Sequence, residues 1–158
     1  MKKTVIIAIF IIYLASIVAV QLFGIPATVP EGGAYVEGVE ITGVTHSGNQ
    51  EVKELTDKNT GDKWYWFYFI ASADEGGYTK EADSLANNPN RIKIVYLLTP
   101  DDASRETLSY TFDNENAVFI SETEEVVFLK AITVNVTIKE SKGNINARDT
   151  VRIVARKS

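Results

Sequence analysis

The N-terminal segment constrains this chain most, because it is too long and too apolar for an ordinary part of a soluble domain. Thr4 to Gly24 contains no charged residue, follows Lys2 and Lys3, and precedes the first acidic residue, Glu31. As a helix it would be about 31 Å long, close to the hydrocarbon thickness of a bilayer. A charge in that layer costs about 2.5–3.5 kcal/mol, so an uncharged run of this length predicts a transmembrane helix.

The flanks of this run predict its orientation and the domain boundaries. Lys2 and Lys3 are positive, whereas residues 25–33 contain no Lys or Arg. Positive flanks stay in the cytoplasm, so we expect the N-terminus inside and the body of the protein outside the cell membrane. The expected division is a cytoplasmic tail at 1–3, a single-pass transmembrane helix at 4–24, a linker at 25–33 and an extracytoplasmic domain at 34–158.

A cleaved secretory signal is the alternative interpretation of the same run. Ile6–Leu14 is long enough for the apolar core of a signal peptide, and cleavage after Ala19 would put Ile17 at the −3 position. However, no Ala-x-Ala site occurs in or next to this run, and apolar residues continue to Phe23. A lipoprotein signal is excluded because the chain has no cysteine. The anchor is the favoured interpretation, and secretion after cleavage stays open.

Composition limits the function classes. About 125 residues beyond the linker suit one domain with its own core. Without cysteine, thiol catalysis and cysteine metal sites are excluded, and a bacterial or archaeal surface is favoured over a eukaryotic one. Removing the two N-terminal lysines leaves 14 basic against 21 acidic residues, a net charge of −7. Such a domain repels phosphate backbones, so no nucleic acid is expected as a partner, and no cofactor is expected.

The apolar pattern after the linker alternates, which is typical of strands. Apolar residues at 132, 134, 136 and 138 alternate with polar residues at 133, 135, 137 and 139. His46–Gly61 and Asp74–Pro89 are polar and are predicted to be loops, with a short helix over Lys80–Ala86. Predicted strands are Tyr35–Val44, Trp64–Ile70, Arg91–Thr99, Thr107–Asp113, Ala117–Ser121, Glu125–Lys130, Ile132–Lys139 and Asp149–Ala155. This pattern predicts an all-β fold, an antiparallel β-sandwich after the N-terminal helix.

Residues 91–156 carry a more specific order of features. A strand runs into the turn Pro100-Asp-Asp-Ala-Ser104, then Leu108-Ser-Tyr-Thr-Phe-Asp113 precedes the strand that starts at Ala117. This order resembles group 2 of the bacterial Ig-like domains, in which a Pro-x-Asp-Ala-Ser/Thr turn precedes such strands. The chain departs from that family where glycines are common, at Ser121–Glu125 and at Lys130-Ala131. The resemblance implies an Ig-like sandwich that acts as a non-catalytic module of a surface or adhesion protein.

The aromatic strand Trp64–Ile70 contains the candidate partner surface. In a strand, Trp64, Trp66 and Tyr68 share one face, while the intervening aromatic residues share the other. Only one face can be core. If the strand is central in its sheet, the other face is a candidate partner surface for carbohydrate, peptide or another domain, and Trp64, Trp66 and Tyr68 are its candidate residues. The favoured interpretation is that Tyr35–Val44 or Asp74–Pro89 covers this face.

The remaining polar groups support no catalytic or metal site. His46, the only histidine, lacks any local catalytic signature and is expected to be an exposed loop residue. Asp101-Asp102 and Asp113–Asn116 could offer oxygen ligands to calcium, but turn chemistry is the favoured interpretation. Glu122–Glu125 is expected to be an exposed, solubilising hairpin tip. We therefore expect no enzyme.

These observations predict a membrane-anchored, extracytoplasmic Ig-like binding or spacer module of a bacterial cell envelope. Its expected partner is a cell-wall polymer, another envelope protein or a host surface. The alternative is a structural subunit of an envelope assembly or filament machine that uses its helix for oligomer contacts. A stripe of mostly small residues at Ala8, Ile12, Ala15 and Ala19 favours that alternative.

Overall fold

The computed structural model describes residues 34–73, 77–142, 144 and 146–157, all within one compact unit. In chain order they form β1 (Gly38–His46), β2 (Lys53–Thr56), β3 (Lys63–Phe69), α1 (Ala82–Asn87), β4 (Arg91–Thr99), a 3-10 turn (Arg105–Thr107), β5 (Leu108–Phe112), β6 (Ala117–Ile120), β7 (Glu125–Phe128), β8 (Thr133–Glu140) and β9 (Arg148–Lys157). No helix among these residues is long and apolar enough to cross a membrane. The predicted tail, transmembrane helix and linker lie outside the described residues.

The strands form two sheets. One has the order β1-β4-β7-β6 and the other the order β2-β3-β9-β8-β5. Neighbouring strands are antiparallel except β3 and β9, which run parallel. The all-β prediction is therefore confirmed, and the two sheets pack as a sandwich around one main core.

The core lies between the inner faces of the sheets. Phe67 of β3 and Phe128 of β7 are both 0 % exposed, and their rings meet edge to face with centroids 5.2 Å apart. At one side of the sandwich, Tyr110 of β5 stacks on Phe119 of β6 with ring centroids 3.8 Å apart. Aromatic pairs of this kind add about 0.5–1.5 kcal/mol each to the area they bury, so they hold the sheets together.

The alternation in the last two strands is confirmed by their burial. Val134, Val136 and Ile138 of β8 are fully buried, and Val151 and Ile153 of β9 are 3 % and 0 % exposed. The polar residues between them face solvent. Because successive side chains of a strand point to opposite faces, this pattern could be predicted without knowing the neighbouring strands.

The prediction of a loop over His46–Gly61 was wrong in two places. β1 continues through His46, and Lys53–Thr56 forms β2, which pairs with β3 at the edge of its sheet. All four residues of β2 are exposed, so this strand has no buried face and leaves no alternating pattern. Main-chain hydrogen bonds to β3 hold it. Such bonds do not depend on side-chain polarity, so the residues of β2, with Leu55 as its one apolar residue, do not indicate the pairing.

Two asparagines hold the segment between α1 and β4. Asn90 Nδ2 donates to the Ile70 carbonyl and its Oδ1 accepts from the Ile70 N–H, at 2.9 and 2.7 Å. Asn88 Nδ2 donates to the Phe128 carbonyl at 2.8 Å. Both side chains are buried, so they replace main-chain pairing where the strands stop.

The turn between β6 and β7 is built without glycine. Glu124 has φ of 54°, in the left-handed region where glycine is normally favoured. Ig-like domains of group 2 commonly have a glycine in this turn, and this chain has none. We therefore expected the turn to be built differently from theirs.

Candidate binding face

The outer side of the five-stranded sheet has an unusual composition. We call it the basic face and define it by the side chains that the strand register and exposure direct away from the core. It comprises Lys53, Leu55, Trp64, Trp66, Tyr68, Arg148, Thr150, Arg152, Val154, Arg156, Thr133, Asn135, Thr137, Lys139, Ser109 and Thr111. These positions include five basic residues and no acidic one.

The basic face carries positive charge, whereas the domain as a whole has a net charge of −7. Arg148, Arg152 and Arg156 form no ion pair with the described residues. The four ion pairs found there involve Lys53, Lys63, Arg91 and Arg105. Acidic side chains of the described residues border this face: Glu51 lies 3.9 Å from Lys53, and Asp113 accepts hydrogen bonds from the backbone N–H and side-chain Nδ2 of Asn135. Lys53 is therefore paired at the rim, whereas the charges of the three arginines are not neutralised by ion pairs among the described residues.

Cations cover the indole ring of Trp66. The guanidinium of Arg156 lies 4.5 Å from the ring centroid, the ammonium of Lys53 lies 5.3 Å from it, and Tyr68 packs edge to face at 5.1 Å. Trp66 is only 9 % exposed as a result. The indole therefore positions the two cations at the surface and offers little ring area itself.

The three residues predicted as a partner surface share this outer face but differ in exposure. Trp64 is half-buried beneath Arg152 and Arg156, at 6.0 and 5.6 Å from its ring. Tyr68 is 47 % exposed. Segment Tyr35–Val44 falls largely within β1, in the opposite sheet, so the residues found over these rings come from β2 and β9.

The cationic half of this face was missed by sequence reasoning. The alternation in β9 does put Arg152 and Arg156 outward, but it does not reveal which strand lies beside them. Parallel pairing aligns Trp64 with Arg152 and Tyr68 with Arg156. The sequence indicates one strand rich in aromatic residues and another with outward arginines. That these two strands lie side by side is decided only by the tertiary structure.

A cleft of about 650 Å³ borders the basic face where β3 begins. Trp64, Arg152 and Asn135 line it from the basic face, and carboxylates line the other side: Glu40, Asp57, Asp62 and Asp149. Asp149 accepts hydrogen bonds from the N–H groups of Ile41 and Thr150, each at 2.7 Å. The cleft marks the boundary where the surface charge changes sign.

His46 is not the exposed loop residue that we expected. It lies at the end of β1, is 8 % exposed, and meets the ring of Phe67 edge to face at 5.3 Å. Its Nδ1 accepts a hydrogen bond from the Gly48 N–H at 3.0 Å. Burial lowers the pKa of His46 below its ordinary value, because the charged form is poorly solvated there.

Glu125 corrects the prediction of an exposed acidic tip. Its Oε1 accepts from Ser47 at 2.6 Å, and its Oε2 accepts from Thr123 and pairs with Arg91 at 2.9 Å. Burial alone would raise the pKa of Glu125, but hydrogen bonds from Ser47, Arg91 and Thr123, with the charge of Arg91, lower it. This carboxylate connects β7 to β4 and to the end of β1.

The turn Asp113–Asn116, one of the two considered for calcium, bonds to its own chain. Asp113 accepts from the N–H and Nδ2 of Asn135 at 2.8 and 2.7 Å, and Asn114 Oδ1 accepts from Asn116. Within the described ranges, no three His, Cys, Asp or Glu side chains are grouped as metal ligands.

Comparisons with known proteins give no match: no family model, no curated protein and no solved structure is significantly similar to this chain.

Proposed function

We propose that this chain is a non-catalytic, membrane-anchored Ig-like module of a bacterial cell envelope that binds a partner through the basic face. The observation that carries the proposal is the row of three arginines on one sheet face of an acidic domain, none of which forms an ion pair with the residues that the structure describes. Self-repulsion makes such a concentration unfavourable for the domain alone, and a negative partner relieves it.

The strand order supports the Ig-like part of the proposal. If β1 is named A and β4 to β9 are named B to G, the sheets become A-B-E-D and C-F-G. This is the order of a constant-type immunoglobulin domain. β3 then adds beside G as a parallel strand, with β2 beyond it.

The anchor rests on the uncharged run Thr4–Gly24 and its positive N-terminal flank. With the N-terminus inside, the domain lies on the outer side of the membrane, near envelope polymers. Secretion after cleavage leaves the same face available but removes the attachment.

Localisation of a C-terminally tagged full chain in bacterial spheroplasts tests this proposal. We expect the protein in alkali-washed membranes, its domain degraded by externally added protease, and an intact mass that includes residues 1–24. A soluble product without the first ~20 residues, or a domain protected from external protease, contradicts the anchored orientation.

A structural subunit of an envelope assembly is the second candidate, favoured by the stripe Ala8, Ile12, Ala15 and Ala19. Cross-linking in membranes separates the two. A specific oligomer that Ala15→Leu abolishes supports assembly through the helix, whereas a monomer supports the simple tether.

A further inference from the structure

We infer that the occupant of the basic face is a linear acidic polysaccharide that lies along β9. This inference rests on the proposed function, in which the same face is the binding surface. Three features of the face select this ligand: a row of arginines, aromatic rings covered by cations, and a neighbouring band of hydroxyl and amide groups.

The arginine row matches an extended polyanion. Arg148, Arg152 and Arg156 occupy every fourth position of β9 and all point outward. At about 3.3 Å per residue, neighbouring arginines are roughly 13 Å apart along the strand. A single small anion would contact one of them, whereas a chain with regularly repeated negative groups reaches all three.

The covered rings argue against single-stranded nucleic acid. Such ligands stack their bases on open aromatic faces. Trp66 is 9 % exposed, with Arg156 and Lys53 over its ring, and Trp64 is half-buried beneath Arg152 and Arg156. Tyr68, at 47 % exposure, is a single open ring and offers no run of stacking platforms. The ring contacts leave guanidinium N–H groups available for carboxylate oxygens, which suits ligands recognised by charge.

The band beside the row suits sugar hydroxyls. Its members are the outward polar side chains of β5, β8 and β9: Ser109, Thr111, Thr133, Asn135, Thr137 and Thr150. Each hydroxyl both donates and accepts, as sugar hydroxyls do. Thr137 and Thr150 already share a hydrogen bond at 2.7 Å, so the band is preordered. An acidic peptide carries the charges but far fewer hydroxyl groups.

The test measures binding of the full-length chain, in a neutral detergent at low ionic strength, to four polymers of matched length. Polygalacturonate is the acidic polysaccharide, dextran its uncharged counterpart, and polyglutamate and single-stranded poly-dT the other polyanions. We expect polygalacturonate to bind most tightly and to weaken as salt is added, because the contacts are screened.

Two variants assign the site. Arg152→Gln/Arg156→Gln is expected to weaken polygalacturonate binding by at least about tenfold, since two charge-assisted contacts are lost. In the second variant, Arg148→Gln/Lys139→Gln, neither replaced side chain has a cation–π contact among the described residues. This variant is expected to weaken polygalacturonate binding while leaving the fold unchanged. Lys93→Gln, an exposed base on β4 in the other sheet, is the matched control and should bind normally.

Each other outcome overturns the inference in a recognisable way. Equal binding of polyglutamate shows that the face recognises charge alone, and tighter binding of poly-dT shows a nucleic-acid surface. Binding of dextran, or loss of binding with Lys93→Gln but with neither face variant, puts the ligand elsewhere. If no polymer binds while the spheroplast experiment succeeds, the polysaccharide is wrong and the anchored module stands.

Discussion

The guanidinium of Arg156 lies 4.5 Å from the indole centroid of Trp66, on the outer side of a sheet whose inner side is core. This contact joins a cation of β9 to a ring of β3. It is partly shielded by Lys53 and Tyr68, so its energy exceeds that of a fully exposed pair.

A double-mutant cycle between Arg156→Gln and Trp66→Leu should give a coupling free energy of about 1–2 kcal/mol, above the range of about 0.5–1 kcal/mol for fully exposed cation–π pairs. Urea unfolding followed by circular dichroism measures it. The cycle of Arg148→Gln with Trp66→Leu is the control. Equal coupling in both cycles would contradict a specific contact.

Replacing Phe67 by Ala should destabilise the domain by about 3–5 kcal/mol, because it leaves a cavity against Phe128 between the sheets. Tyr68→Ala, one position along and 47 % exposed, should cost no more than about 1 kcal/mol. If urea unfolding gives similar losses of stability for the two variants, β3 does not bury Phe67 and expose Tyr68 as the structure has it.

Replacing Arg91 by Met should destabilise the domain by about 3 kcal/mol at pH 7, because it leaves the buried Glu125 carboxylate without its charge partner. The pKa of Glu125 is lowered in the folded state, so this stabilisation is present above the ordinary value of 4.5 and is lost as pH falls through the folded pKa.

The difference in unfolding free energy between wild type and Arg91→Met should therefore shrink as pH decreases from 7 to below about 4. The exposed pair offers a control: Lys63→Met removes the partner of Glu54 and should change stability little, because solvent screens this pair. A pH-independent difference for Arg91→Met would contradict the ion pair.

His46 should make the domain less stable in mild acid. Its pKa is lowered from 6.5 by burial, so the unfolded chain takes up the proton first and stability falls as pH decreases below 6.5. His46→Asn keeps an acceptor for the Gly48 N–H and does not titrate. Between pH 7.5 and 5.5, the wild type should lose up to about 1 kcal/mol more than this variant. If wild type and His46→Asn lose the same stability over this pH range, His46 is not buried as the structure has it.

Glu124→Gly should stabilise the domain by about 0.5–1 kcal/mol, because φ of 54° is strained for any residue with a Cβ. The ion pair it removes, with Arg105 at 4.0 Å, is exposed and contributes little. Glu122→Gly in the same turn, where φ is not positive, should be destabilising. Thermal melts of the two variants should move in opposite directions.

The prediction of strands succeeded where burial alternates with polarity. β4 was predicted with its observed bounds because it is rich in strand-forming apolar residues. β8 and β9 were predicted within a few residues because apolar and polar positions alternate along them. β2 was missed because all of its residues are exposed. His46 and Glu125 were misplaced because single polar residues in polar stretches carry no sign of burial.

The sequence by itself determined the all-β class, the inward and outward sides of the clearest strands, and the outward placement of the arginines of β9. For β3 it determined only that Trp64, Trp66 and Tyr68 share one face. These properties follow from a period of two along one strand. Only the tertiary structure decided that β3 and β9 lie side by side, so that Arg152 and Arg156 cover Trp64 and Trp66 and form one basic face. Strand pairing joins residues far apart in the chain through main-chain hydrogen bonds that every sequence can form, so the local pattern does not encode it.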